Sequence, residues 1–199
     1  MNTAKIFNKI STQLSQETDL QNQLGIVVQG AMDLSNADAG TLYSISEGKD
    51  LKFEVILNRT LNIHKQAPHT HFPDIPLYKN KKENSSMVAV HCVFKEKSIF
   101  IDDIYDEKQY NFSGTRIFDR KNKYRTYSLL TVPVLDFRKK TIGVIQLINA
   151  KNENNDIRIF DEQDHKRVNL FILQTAFTLS SKILIDRQKV LFDSIKKRK

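Results

Sequence analysis

Residues 127–135 and 141–149 are two runs rich in β-branched and aliphatic side chains, separated by the polar turn Asp136-Phe137-Arg138-Lys139-Lys140. This pattern predicts a central antiparallel pair with Val132, Val134, Ile142, Val144 and Leu147 available to a core. A second hairpin is predicted from Thr41-Leu42-Tyr43-Ser44-Ile45 through the turn Ser46-Glu47-Gly48-Lys49-Asp50 to residues 51–57. Ser98-Ile99-Phe100-Ile101 reads as a further strand, residues 87–93 as a short apolar run, and residues 102–113 as a short helix and turn.

Helical periodicity brackets these strands. Ile6, Ile10 and Leu14 recur every four residues, and Leu20, Leu24, Val27, Ala31 and Leu34 follow at spacings of four and three. Thr18-Asp19-Leu20-Gln21 reads as a capping box opening a helix over residues 19–35, with Thr18 as the cap. A long helix is predicted from about residue 161 to at least residue 195. Helix, hairpin, strands, hairpin, helix is an α+β order, a sheet with its helices segregated to one side. Three of the four prolines, Pro68, Pro73 and Pro76, fall in residues 58–86, which read as a long irregular segment able to cover a pocket. The division expected is a helical extension at 1–18, a domain at 19–183 and a terminal helix with a basic tail at 184–199.

The 199 residues are 40% hydrophobic and 27% charged, a balance typical of an ordinary soluble globular protein. No uninterrupted apolar window approaches a membrane span, and Met1-Asn2-Thr3-Ala4-Lys5 lacks a secretory core, so a cytoplasmic location is the expectation. The net charge of +8 raises the question of nucleic acid or acidic membrane. Residues 185–199 hold six basic and two acidic residues, half of that net charge, so the remainder is only mildly basic. The run Lys196 to Lys199 reads first as a solvated tail and only second as a phosphate-binding patch, and nucleic-acid or membrane contact is not expected.

The terminal helix is apolar on more than one face. Val168, Ile172, Ala176, Leu179 and Ile183 form one stripe, while Leu170, Leu173, Phe177 and Leu184 form another. Leu170, Phe177, Leu184 and Leu191 stand seven residues apart, the spacing of a parallel helical dimer, although Ser180, Arg187 and Ser194 interrupt the companion column. A homodimer through this helix is expected; a doubly buried helix in a monomer is the alternative.

Catalytic signatures are absent: no GxSxG, P-loop, HExxH or GxGxxG occurs. The protein reads as a non-enzyme. His64, His69 and His71 lie among prolines with no cysteine near and read as solvated. The lone Cys92 can form neither an intrachain disulfide nor a thiolate zinc cluster and reads as a buried, inert thiol beside His91.

Three segments together carry a family resemblance. They are Ala37-Asp38-Ala39-Gly40-Thr41-Leu42-Tyr43; then Phe112-Ser113 through Phe118-Asp119 to Tyr124-Arg125-Thr126; and Leu130-Thr131-Val132-Pro133-Val134 running to Ile142-Gly143-Val144-Ile145-Gln146-Leu147-Ile148-Asn149. In order and spacing the chain resembles a GAF domain over roughly residues 19–183, of the branch found in cyclic-nucleotide phosphodiesterases, adenylyl cyclases and bacterial signalling proteins. The resemblance implies a GAF fold: a central antiparallel sheet of about six strands, N- and C-terminal helices behind it, and a ligand pocket in front, roofed between Asn58 and Thr126. It also implies a sensor that binds a small molecule and passes a helix movement to an output domain, often as a parallel dimer. Cyclic AMP and cyclic GMP are the ligands of that branch, with another small molecule, or a ligand-free dimerisation module, as the alternatives.

In cyclic-nucleotide-binding relatives the pocket positions match Thr41, Val88, Ala89, Asp119, Asn122, Thr126 and Gln146, with Asn58 and Arg125 close enough to assist. The branch also carries Asn-Lys, then Phe, three residues and Asp-Glu; this chain has Asn149-Ala150, Phe160 and Asp164-His165. On that pattern Ala150 leaves Asp164 without its lysine partner, and Lys151 points the other way on the strand. Lys123 stands where the family has glycine before the Tyr-Arg-Thr run. Methionine-sulfoxide reduction and bilin attachment, known in other GAF domains, need cysteines in settings that Cys92 does not supply. A haem ligand would have to be His91 and is not expected.

Overall fold

The computed structural model describes residues 3–70 and 72–196. Helices α1 (Thr3–Gln16) and α2 (Leu20–Ser35) lead into the hairpin β1 (Ala37–Ile45) and β2 (Asp50–Asn58). Next come β3 (Ile63–Gln66) and the two-residue strands β4 (Ile75–Pro76), β5 (Tyr78–Lys79) and β6 (Lys82–Glu83). Then follow α3 (Val88–Lys95), β7 (Ile99–Ile101), α4 (Ser113–Asn122), the hairpin β8 (Leu129–Leu135) and β9 (Thr141–Lys151), β10 (Ile157–Arg158) and α5 (Glu162–Lys196). The main sheet runs β3-β2-β1-β9-β8-β7 with every neighbour antiparallel, and β4 and β10 attach to β2 and β9.

Alternation along the strands decides what each face meets. Leu42, Val55, Leu57, Leu130, Val132, Val134, Ile145 and Leu147 point to the back, where Ile6 and Ile10 of α1, Leu24, Val28 and Ala31 of α2, and Val168, Ile172 and Leu179 of α5 close over them. Each fully buried aliphatic side chain there contributes about 1.5–3 kcal/mol relative to exposure. Helix α1 is thus part of the main core, its Phe7 ring meeting Phe171 of α5 edge-on at 5.8 Å. Two glycines permit the close approach of these layers. A Cβ on Gly40 would lie 2.8 Å from Val28 of α2, and one on Gly143 would lie 2.3 Å from the Tyr43 carbonyl and 2.6 Å from Leu179 of α5.

Helix α5 carries its second stripe into solvent. Leu170, Leu173, Phe177 and Leu184 are all more than half exposed, Phe177 at 79%. The Leu191 side chain, His71 and residues 197–199 lie outside the described residues. Among the described residues α5 is the one helix long and apolar enough by composition to cross a membrane, and one of its apolar stripes is packed on the sheet.

Several local expectations need correction. The cap of α2 is Asp19, one residue later than expected: its carboxylate accepts the Asn22 N–H, while the Gln21 side chain reaches across to donate to the Glu54 carbonyl. Residues 58–86 are more ordered than an irregular segment, because β3 pairs along β2 and Leu77 enters the front cluster. The short apolar run at 87–93 is helix α3. No helix forms within residues 102–112; it begins at Ser113 instead, where Phe112 is buried beneath it. Helix α4 ends with Lys123 at φ 50°, its N–H donating to the Asp119 carbonyl. That left-handed position is one that a glycine would occupy without strain.

Candidate functional site on the front of the sheet

The antiparallel register sets Thr41 of β1 opposite Gln146 of β9, and Gln146 opposite Thr131 of β8, so three polar side chains cross the front in one row. The Gln146 amide donates to the Thr131 hydroxyl at 3.3 Å and accepts from the Tyr43 hydroxyl at 3.4 Å. Apolar groups surround the row: Tyr43, Leu51, Leu77, Ala89, Val90, Cys92 and Val144 form one buried cluster, and the Tyr43 ring packs at a tilt against Phe53, which meets Phe72. Burial pushes the Tyr43 phenol well above its ordinary range, so it remains a neutral donor at any physiological pH. The Cys92 thiol is pushed up to about 12 by the same cause, in keeping with an inert thiol.

Helix α3 covers this face, starting at Val88 and Ala89, both buried; its cap residue Met87 offers no side-chain acceptor to the first-turn amides. Helix α4 is held to the entry of β8 by Asp119. One carboxylate oxygen accepts the Thr126 hydroxyl at 2.9 Å, and the other accepts the Thr126 N–H at 2.9 Å and the Tyr105 hydroxyl at 3.0 Å. Arg125 lies 4.2 Å over the Tyr105 ring and donates to Asp103. The Asn122 amide turns back onto the Phe118 carbonyl.

The seven candidate positions therefore fall into groups. Thr41 and Gln146 share the sheet row, Val88 and Ala89 open the covering helix, and Asp119 and Thr126 bond each other while Asn122 bonds back to its own helix. Two polar atoms on α3 and α4 are buried without a partner: Nδ1 of His91 and Nε of Arg116. The His91 ring packs 5.5 Å from Tyr110, and Arg116 spends its Nη2 on the Ile104 and Tyr105 carbonyls. Nothing in the sequence points to Arg116, and His91 stands out there only as a haem ligand that is not expected, because a buried unpaired nitrogen is a product of packing between elements.

At one end of the sheet lies a second polar assembly that spacing alone did not disclose. The buried Asp38 carboxylate accepts from Lys151 at 2.5 Å, from the Thr60 hydroxyl at 2.8 Å and from the Tyr124 hydroxyl at 2.8 Å. Asn149 donates to the Tyr124 hydroxyl and the Arg125 carbonyl and accepts the Tyr127 N–H. Asn58, at the end of β2, accepts the Leu61 N–H. Burial alone would raise the Asp38 pKa, but the hydrogen bonds from Lys151, Tyr124 and Thr60 outweigh it and hold the carboxyl below its usual range. Asp38, Tyr124 and Asn149 all sit within the motifs that carried the resemblance, and this brace is a physical reason for those residues.

Asp164 has no lysine from position 150, yet it is not left unpaired. Arg158 of β10, paired directly opposite Ala150, donates to both Asp164 oxygens at 2.5 and 3.0 Å, and Arg167 adds a third bond at 2.6 Å. The cation that Ala150 cannot supply arrives from the neighbouring strand. Behind this end of the sheet a cleft of about 840 Å³ is lined by Arg59, Lys151, Arg158 and Arg167, each already bonded to the carboxylate of Asp33, Asp38 or Asp164. Among the described residues no three His, Cys, Asp or Glu side chains gather as a metal site would need.

The GAF-domain family model matches residues 19–179. The chain belongs to the GAF family. Solved GAF structures agree with the fold. The GAF domain of an Acinetobacter phosphoenolpyruvate-protein phosphotransferase superposes with a TM-score of 0.67 at 14% identity, covering 94% of this chain and 99% of that one. The corresponding domain from Coxiella burnetii gives 0.68 at 12% identity, covering 91% and 94%. A methyl-accepting chemotaxis protein segment gives 0.59 at 16%, covering 88% and 98%. Among curated proteins none matches the chain. GAF domains are in general regulatory and sensory domains of signalling proteins, and the α+β architecture read from the sequence is that of the family.

Proposed function

We propose that this GAF domain is a non-catalytic sensor that takes a small polar molecule between the front of the sheet and helices α3 and α4, and reports it through α5 to a second copy and an output domain. The observation that carries the reading is a pair of unpartnered buried nitrogens, His91 Nδ1 on the helix that covers the front polar row and Arg116 Nε on α4. A buried polar group without a partner costs about 1–3 kcal/mol, and a ligand that bonds it recovers that cost. Cyclic nucleotides are one candidate class. For them Asp119 and Thr126 would have to exchange their mutual bond for ligand, a rearrangement that would loosen α4 from β8.

A thermal-shift screen with cyclic AMP, cyclic GMP, other nucleotides and common metabolites tests this reading, since a ligand at 100 times its Kd stabilises by about 2.7 kcal/mol. The expected result is a shift with one of them that disappears in His91→Phe or Gln146→Leu. A shift that survives both substitutions would place the ligand elsewhere.

The exposed stripe of α5 supports a second reading, a ligand-free module that dimerises its output domain. Leu170, Leu173, Phe177 and Leu184 repeat on one face of a helix whose opposite face is already buried. Light scattering should then report a dimer for the full chain and a monomer for Phe177→Glu/Leu184→Glu, with no small molecule in the screen raising the melting temperature.

A further inference from the structure

Phe137 has the most exposed large apolar side chain among the described residues, at 87%. It sits at the apex of the β8–β9 turn and is followed by Arg138, Lys139 and Lys140, all exposed. A single exposed apolar residue is ordinary, but this one is held in place. Asp136 accepts the Arg138 and Lys140 N–H groups through its carboxylate at 2.8 and 2.9 Å, its own N–H donates to the Lys140 carbonyl, and Lys139 takes φ 61° to close the turn. The Arg138 guanidinium lies 5.1 Å over the Phe137 ring. No ion pair among the described residues involves Arg138, Lys139 or Lys140.

The tip projects from one particular pole of the sheet. Helix α5 starts beside β10, where Arg158 meets Asp164, and passes Gly143 at Leu179, so it runs antiparallel to β9 and leaves the sheet at the turn end. There Arg187 approaches Glu47 of the β1–β2 turn at 3.4 Å, and Lys189 is exposed beyond it. Both hairpin turns and the departing helix thus share a pole at which cations outside any ion pair, Arg138, Lys139, Lys140 and Lys189, outnumber the carboxylates outside any ion pair in the two turns, Asp50 and Asp136.

We infer that the β8–β9 tip docks this pole onto an anionic lipid surface, with Phe137 entering the acyl boundary and Arg138, Lys139 and Lys140 meeting the headgroups. The chemistry is complementary on both counts: an aromatic ring gains by leaving water, and long cationic side chains lay their stems along the apolar layer while their charges remain at the headgroup level. Each cation held near an anionic leaflet raises the partition constant about fivefold. A nucleic acid would use the three cations, but a lone ring at a convex apex gives no track on which successive bases stack.

Co-sedimentation of the full chain with vesicles of phosphatidylcholine, with and without phosphatidylserine, tests the inference. Sedimentation is expected only with phosphatidylserine present and is expected to weaken about tenfold or more in Phe137→Ser. Arg138→Gln/Lys140→Gln should weaken it by about 25-fold, and removal of residues 196–199 should leave most of it. Unchanged melting temperatures check that these variants remain folded. Failure to sediment with phosphatidylserine vesicles would overturn the inference. So would binding that ignores Phe137→Ser, or equal binding to a DNA oligonucleotide with the same indifference, which would mark the tip as a polyanion patch only.

Discussion

The two faces of the central sheet are built on different principles. The back is one continuous apolar core to which α1, α2 and α5 all contribute, while the front divides into two smaller clusters interleaved with hydroxyls, amides and a carboxylate. An apolar core gains free energy mainly from area and tolerates little change in volume. A polar-laced face gains less from area and more from matched partners, which makes it the side able to trade internal bonds for those of a ligand. Stability therefore resides mainly behind the sheet, and responsiveness in front.

The contrast would be broken most easily by Leu147→Ala, a fully buried back-face truncation expected to cost about 2–5 kcal/mol in urea unfolding. Tyr43→Phe on the front removes one long hydrogen bond and should cost no more than about 1.5 kcal/mol; comparable losses at the two sites would erase the distinction. Next in size is Asp164→Ala, which removes the shared acceptor of Arg158 and Arg167 and the cap of the Asp161 N–H. Because both guanidinium groups reach solvent, the expected loss is about 1–3 kcal/mol, measured the same way.

Asp38→Asn sharpens the comparison through pH. The native carboxyl titrates below its usual value, so its contribution is fully present above about pH 4 and is lost as pH falls through the lower native pKa. Wild type and variant should accordingly differ at pH 7 and converge in acid; a constant gap between their unfolding curves would show that the Asp38 charge is not what matters. The smallest effect is expected at Lys123→Gly, where relief of the left-handed backbone should raise stability by up to about 1 kcal/mol. A loss there would mean that the Lys123 side chain contributes more than its backbone costs.

Much of the architecture was readable because it rests on local periodicity. The stripe Leu24, Val27, Ala31 and Leu34 marks one buried face of α2, and Val132, Val134, Val144 and Leu147 mark the central strands whichever partners they find. The motifs also identified the family, since Gly40 and Gly143 are fixed by how closely α2 and α5 approach the sheet. The site was legible only in part. Gln146 and Thr41 belonged to recognisable strands, so their meeting followed from register, whereas the mutual bond of Asp119 and Thr126 spans a helix end and a loop whose path periodicity does not encode.

What the sequence determined by itself was the main strands β1, β2, β7, β8 and β9, the helices that bracket them and the two stripes of α5, because each depends on residues close in the chain. Tertiary structure alone decided that Arg158 replaces the missing lysine at Asp164, that Lys151 neutralises Asp38, and which stripe of α5 stays in solvent. The physical reason is the range of the interactions. Hydrogen-bond geometry along the backbone selects secondary structure locally, but a buried charge takes whichever opposite charge the folded chain brings within bonding distance.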